Sequence, residues 1–225
     1  MKNLIPILIA TVLPSRVLGA TVFDTFGPGN SFDQNTAKAA GWNPNTVYGK
    51  AIAASFAVNG GDYTLGSVTL ALGYVQDTSK LMISIVRDNA GTPTGPVVET
   101  VASNLAAVTN SHQVVTFESS LNPVMAGGGK FWLLVEPPAQ NLSTTADNSA
   151  YEWYATGMFG PVGLRDFDFG SGNWLPWQLY NSGLLPAFRI EATLVPEPST
   201  LALALAGAVG LVGLRFWRRF RHTEN

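Results

Sequence analysis

Between Thr21 and Leu194 no segment keeps an apolar period of 3.6 residues for three turns. A period of two recurs instead, which places alternate side chains on opposite faces of an extended strand. Leu65, Val68, Leu70, Leu72 and Tyr74 largely follow it, and Leu81, Ile83 and Ile85 repeat it. Shorter runs of the same kind lie at 21–26, 51–58, 97–101, 114–117, 131–135, 151–156, 162–169, 175–179 and 188–194. Asn59-Gly60-Gly61-Asp62, the stretch 88–96, Gly127-Gly128-Gly129 and Pro137-Pro138 separate them with turn chemistry. Residues 30–46 are polar and turn-rich and read as a connection. About ten short strands joined in this way predict an all-β domain, an antiparallel β-sandwich of jelly-roll-like type.

The two ends follow other rules. Met1-Lys2-Asn3 carries positive charge, residues 4–13 are apolar, and Gly19 offers a small residue for cleavage, with Ala20 as the next choice. That pattern predicts a signal peptide over 1–19, with the export machinery and signal peptidase as partners. At the far end Pro196-Glu197-Pro198 precedes an uncharged run reaching Leu214, and Arg215, Arg218, Arg219 and Arg221 follow. An apolar run closed by arginines reads as a transmembrane helix, here over 200–217, with a stop-transfer tail. The span is marginal, because a bilayer core of about 30 Å asks for roughly twenty helical residues. The arginines mark the cytoplasmic side, so residues 20–195 are expected as one domain beyond the inner membrane.

Proline-flanked glutamate, apolar helix and arginine cluster, in that order over 196–221, resemble the PEP-CTERM sorting signal of Gram-negative bacteria. The resemblance implies that Pro196, Glu197 and Pro198 are recognised by an exosortase-type membrane protease. It also implies an inner-membrane precursor with its domain in the periplasm, and a mature form in the envelope or outside the cell. Val22-Phe23-Asp24, Phe26-Gly27-Pro28, Gly61-Asp62-Tyr63-Thr64-Leu65, Phe131-Trp132-Leu133-Leu134-Val135 and Trp153-Tyr154 further resemble the choice-of-anchor domains of R type. That likeness implies a surface or secreted protein and carries over no catalytic residue.

Charge and cysteine content narrow the chemistry. From Ala20 to Val195 seven Lys/Arg stand against thirteen Asp/Glu, a balance of −6. Nucleic acid needs a basic surface, so it is excluded as a partner. The chain has no cysteine, which removes disulfide staples and thiolate metal sites. His112 is the one histidine between residues 20 and 195, in a polar turn, with no second histidine for a metal cluster.

Asp166 and Asp168 in Arg165-Asp166-Phe167-Asp168-Phe169 share one strand face, with Phe167 and Phe169 expected to turn toward the core. A solvated face beside Arg165 accounts for the pair. The sharper reading is a calcium site using both carboxylates and backbone carbonyls. Aromatic residues crowd the last third of the domain, and Trp174 and Trp177 are the candidates for stacking on sugar rings. No nucleophile motif, phosphate loop or other cofactor fingerprint is present. The expected role is therefore structural or adhesive, not enzymatic, with extracellular polysaccharide as a possible partner. A carbohydrate-binding module is the alternative, and a glycan-acting enzyme a distant third.

Overall fold

A computed structural model describes residues 19–43, 48–76, 81–103, 112–137, 150–168, 173–196 and 205–211. The strands are β1 (Ala20–Asp24), β2 (Asp33–Asn43), β3 (Tyr48–Ala57), β4 (Tyr63–Gln76), β5 (Met82–Arg87) and β6 (Val97–Ala102). They continue with β7 (Gln113–Glu118), β8 (Val124–Met125), β9 (Lys130–Glu136), β10 (Ala150–Asp168), β11 (Asn173–Trp174), β12 (Gln178–Pro186) and β13 (Phe188–Leu194). Every pairing between them is antiparallel.

Two layers result. One runs β1-β13-β4, with β7 and β8 on β4. The other runs β12-β10-β3-β9-β5-β6. Leu65, Val68, Leu70 and Leu72 of β4 with Phe188 and Ile190 of β13 supply one inner face of the core. Ile52, Ala54 and Phe56 of β3, Phe131, Leu133 and Val135 of β9, and Ile83 and Ile85 of β5 supply the other. The antiparallel sandwich is as expected; this strand order does not establish the jelly-roll arrangement.

The second layer is covered on both sides. Residues 51–56, 83–86 and 131–135 are buried without interruption. Their outward members Ala51, Ala53, Val86, Trp132 and Leu134 form a separate cluster beneath Trp174 and Trp177. Double burial is why these strands are apolar at consecutive positions instead of strictly alternating.

β10 belongs to both layers. Its residues 150–153 pair with the end of β4, and 162–168 pair with β3. The ladder slips between Ala155 and Phe159 and again between Gly160 and Val162, where Pro161 has no N–H to give. The sequence reading expected two strands here. It also expected a connection over 30–46, where the structure has β2. Ala37, Ala39 and Ala40 are weak strand formers, and pairing with Tyr154, Glu152 and Tyr151 on β10 overrides that preference.

The corner is held by short bonds. Trp153, fully buried, donates its indole N–H to the Ala187 carbonyl at 3.0 Å. Ala187 donates its own N–H to Tyr154 at 2.6 Å and accepts from Ala71 at 3.1 Å. Thr25 bonds Pro186 and Phe188 across the same junction.

On another side of the sandwich a single carboxylate ties β6 to the turn after β7. Glu99 is 2% exposed and accepts from Ser119 Oγ (2.5 Å), Ser120 N (2.7 Å), Ser120 Oγ (3.0 Å) and Leu121 N (3.0 Å). Burial alone pushes its pKa upward, yet the four donors outweigh burial and leave it below 4.5. A depressed carboxyl stabilises the fold above its unfolded value and loses that contribution as pH falls through the folded value. Glu99→Gln is expected to cost about 1–3 kcal/mol in urea melts at pH 7. The gap to the parent protein should shrink as the melts are taken into acid; a constant gap would refute the assignment.

Candidate functional site

The second half of β10 organises the charged residues of the domain. Its register against β3 is unbroken from Val162↔Ala54 to Asp168↔Tyr48. Val162 and Leu164 belong to the core side, so Asp166 lies on that side too, and Gly163, Arg165 and Phe167 lie on the outer side. The expected orientation is thereby reversed. Phe167 is buried away from the main core, edge-on to Trp174 at 5.3 Å, and Asp166 continues the core face. The reason is the outer cover of 173–177, which a single strand's alternation does not reveal. Phe169 lies outside the described residues.

Arg165 is the hub of the outer face. Its guanidinium carbon stands 4.4 Å from the Trp174 ring centre and 4.5 Å from that of Trp177. Its Nη2 donates to Glu136 Oε2 at 2.5 Å. Ala51, in register with Arg165, is small enough for the side chain to cross β3 toward the end of β9. Gly163 plays the same part for Trp177, since a Cβ there would stand 3.0 Å from the indole. Glu136 is pushed above 4.5 by burial, with the charge and hydrogen bond of Arg165 opposing that rise. Arg165 Nε and Trp177 Nε1 are buried without hydrogen-bond partners. Trp174 and Trp177 are thus brought together around a cation, and each has committed ring surface to it.

On the core side, charges gather at the end of the apolar interior. Lys38 is two residues from buried Ala40, Lys50 two from buried Ile52, and Asp166 two from Leu164. The first half of β10 pairs with β2, β2 with β3, and β3 with the second half of β10. These four segments form a ring of pairing. A cavity of about 290 Å³ is lined by Lys38, Ala39, Lys50, Ala51, Leu164, Arg165, Asp166 and Gln178. Asp166 and Lys50 are cross-strand partners. Lys38, Lys50 and Arg165 came from unrelated stretches of sequence, and only this register assembles them.

The calcium reading gains no third ligand: among the described residues no group of three or more His, Cys, Asp or Glu could hold a metal. Asp168 pairs in register with Asn173 of β11. His112 is exposed, as expected, with a left-handed φ of 65°, its Nε2 3.2 Å from the Gln34 carbonyl and its ring 4.8 Å from that of Tyr154. Tyr154 donates to Glu152 at 2.6 Å and is pushed up to about 12 by burial and then by that carboxylate, so it remains a phenol.

The sorting segment leaves the domain at a turn-built pole. Val195 N–H donates to the Asp62 carbonyl at 2.8 Å, and Asp62 Oδ1 accepts from Gly127 N–H at 2.8 Å. A Cβ at Gly127 would collide with the Gly60 carbonyl, so the two turns meet only through glycine. Pro196 is exposed; Glu197, Pro198, Arg215, Arg218, Arg219 and Arg221 lie outside the described residues, as do residues 1–18 of the expected signal peptide. A helix covers 205–211, inside the expected 200–217 span, with its side chains exposed. Among the described residues no helix is long and apolar enough to cross a membrane.

Residues 194–219 match the PEP-CTERM protein-sorting motif. No curated protein matches the chain. A chain from the crystal structure of the IBDV viral particle is 11% identical, with a TM-score of 0.29. It overlaps 81% of this chain, which spans 40% of its length, and a likeness at that score carries no argument. None of these matches supports the choice-of-anchor resemblance.

Arg165→Met would leave Glu136 buried without its partner, at a cost of roughly 3–5 kcal/mol. Adding Glu136→Gln should recover most of it, measured by thermal denaturation of all three proteins. Because the Glu136 pKa is raised, this group favours folding in acid and costs stability as pH climbs from 4.5 through its folded value. The single variant should therefore lose more stability between pH 5 and pH 7 than the parent.

Proposed function

We propose that this is an exported β-sandwich protein delivered by the PEP-CTERM route to serve a structural or adhesive role at the cell surface. The observation that carries the reading is the sorting motif over 194–219, which implies a surface-sorted, secreted protein and an exosortase-type processing partner. In this reading the precursor is held in the inner membrane through 200–217, with its sandwich in the periplasm. Signal peptidase removes 1–19, and the sorting protease acts near Pro196-Glu197-Pro198. The sandwich itself performs no catalysis.

The local physics favours such a cut. Pro196 and Pro198 have no N–H, so neither can donate to a continuation of the β13 ladder, and a residue that precedes proline favours extended backbone. Exposed extended backbone is what a protease grips. Glu197 follows Val195 by two residues, at most about 7 Å of chain beyond the bond to Asp62. The protease must therefore work close against the pole formed by the 59–62 and 126–129 turns.

Fractionation of the source cells followed by mass spectrometry of both termini tests this. The mature protein should begin near Ala20, end near residue 197 and lack the arginine tail. Glu197→Ala should leave an uncut form in the membrane fraction. A cytosolic protein still running from Met1 to Asn225 would end the proposal.

A further inference from the structure

Three of the seven cationic residues between Ala20 and Val195 line one cavity, in a region carrying thirteen carboxylates. Solvent screens these charges in part, since Lys50 is exposed, yet cations gathered at one opening favour a negative group there. Glu136 neutralises Arg165. Lys38 and Lys50 have no ion-pair partner among the described residues, and Asp166, which shares their cavity, balances one of them. The cavity is left with one positive charge in excess.

We infer that the cavity between β2, β3 and the second half of β10 binds a small hydroxylated carboxylate, a sugar acid such as a uronate. Its volume of about 290 Å³ is at the small end of ligand pockets, roughly 300–1,000 Å³, and suits one ring. Lys38 and Lys50 are point charges able to take the carboxylate from two sides. Asp166 accepts from ring hydroxyls, and Gln178 both donates and accepts. Leu164 supplies an apolar floor for the C–H face. Asp166 also sets selectivity: a bare inorganic anion would meet its repulsion with no hydroxyl to offer in return. The ligand is either a free sugar acid or one residue of an acidic glycan, with the same chemistry in both.

Calorimetric titration of the full-length protein in detergent micelles with glucuronate, glucose, inorganic phosphate and a polyglucuronate tests the site. Glucuronate should bind saturably, more weakly as salt is raised, and glucose should not bind. Lys38→Gln and Lys50→Gln should each weaken binding about tenfold, the loss of one charge-assisted hydrogen bond, while exposed Lys130→Gln leaves it unchanged. Asp166→Asn should keep carboxylate binding but erase the preference for glucuronate over acetate. Binding of both uronate forms points to a glycan residue; binding of the monomer alone points to a free sugar acid. Absence of glucuronate binding, equal binding of phosphate, or full affinity in the folded Lys38→Gln/Lys50→Gln protein would overturn the site. The lysine variants should still be sorted and cut, and Glu197→Ala should still bind, so this inference and the delivery route fail separately.

Discussion

A buried backbone amide must find a partner even where the chain leaves one layer of a sandwich for the other. Here one strand meets that demand. β10 spends its first residues against β4 and β2 and its last against β3 and β12, with ladder slips between. The Trp153 indole and the Ala187 and Thr25 groups satisfy the carbonyls and amides that the bend would otherwise orphan. Layer spacing, the position of β13 and the closure of the ring through β2 and β3 all depend on that corner.

The bend also decides what the charged residues become. Register past Val162 turns Asp166 toward the interior and Arg165 toward the indoles, so two neighbouring residues enter two different environments. Outside, the guanidinium is held by Glu136 and two aromatic rings, largely shielded from water. Inside, at the end of the apolar core, Lys38, Lys50 and Asp166 are left without such fixed partners. The first arrangement closes a surface and the second leaves one open, although both are built from the same strands.

Much of the architecture was legible in the residues. Alternation in 63–75, 81–85 and 131–135 marked the strands now seen as β4, β5 and β9, and Asn59-Gly60-Gly61-Asp62 marked a turn whose Gly60 has a left-handed φ of 86°. The proline-bounded glutamate and the arginines marked the sorting segment that the motif match bears out. What escaped was tertiary. β2 is a strand because of its neighbours, and its alanines and glycine gave no local sign. The facing of Asp166 and Phe167 depends on Trp174 and Trp177 folding back over the layer, and alternation alone cannot say which side will be covered. Lys38 and Lys50 are joined by the Gly41↔Lys50 register, a relation invisible to spacing.

β13 lies between β1 and β4, paired with β4 from Phe188 to Leu194 and with β1 from Arg189 to Ala192, and the sorting segment continues directly from its end. Antiparallel hydrogen bonds run perpendicular to the strand. Tension drawn through Val195 along the strand axis therefore loads two rows of bonds together in shear, and cannot peel them one at a time. In the membrane-held precursor proposed above, thermal tugging or drag would be borne by the strongest mechanical geometry a sheet offers. Under that proposal the fold would resist being pulled apart by the very attachment that positions it.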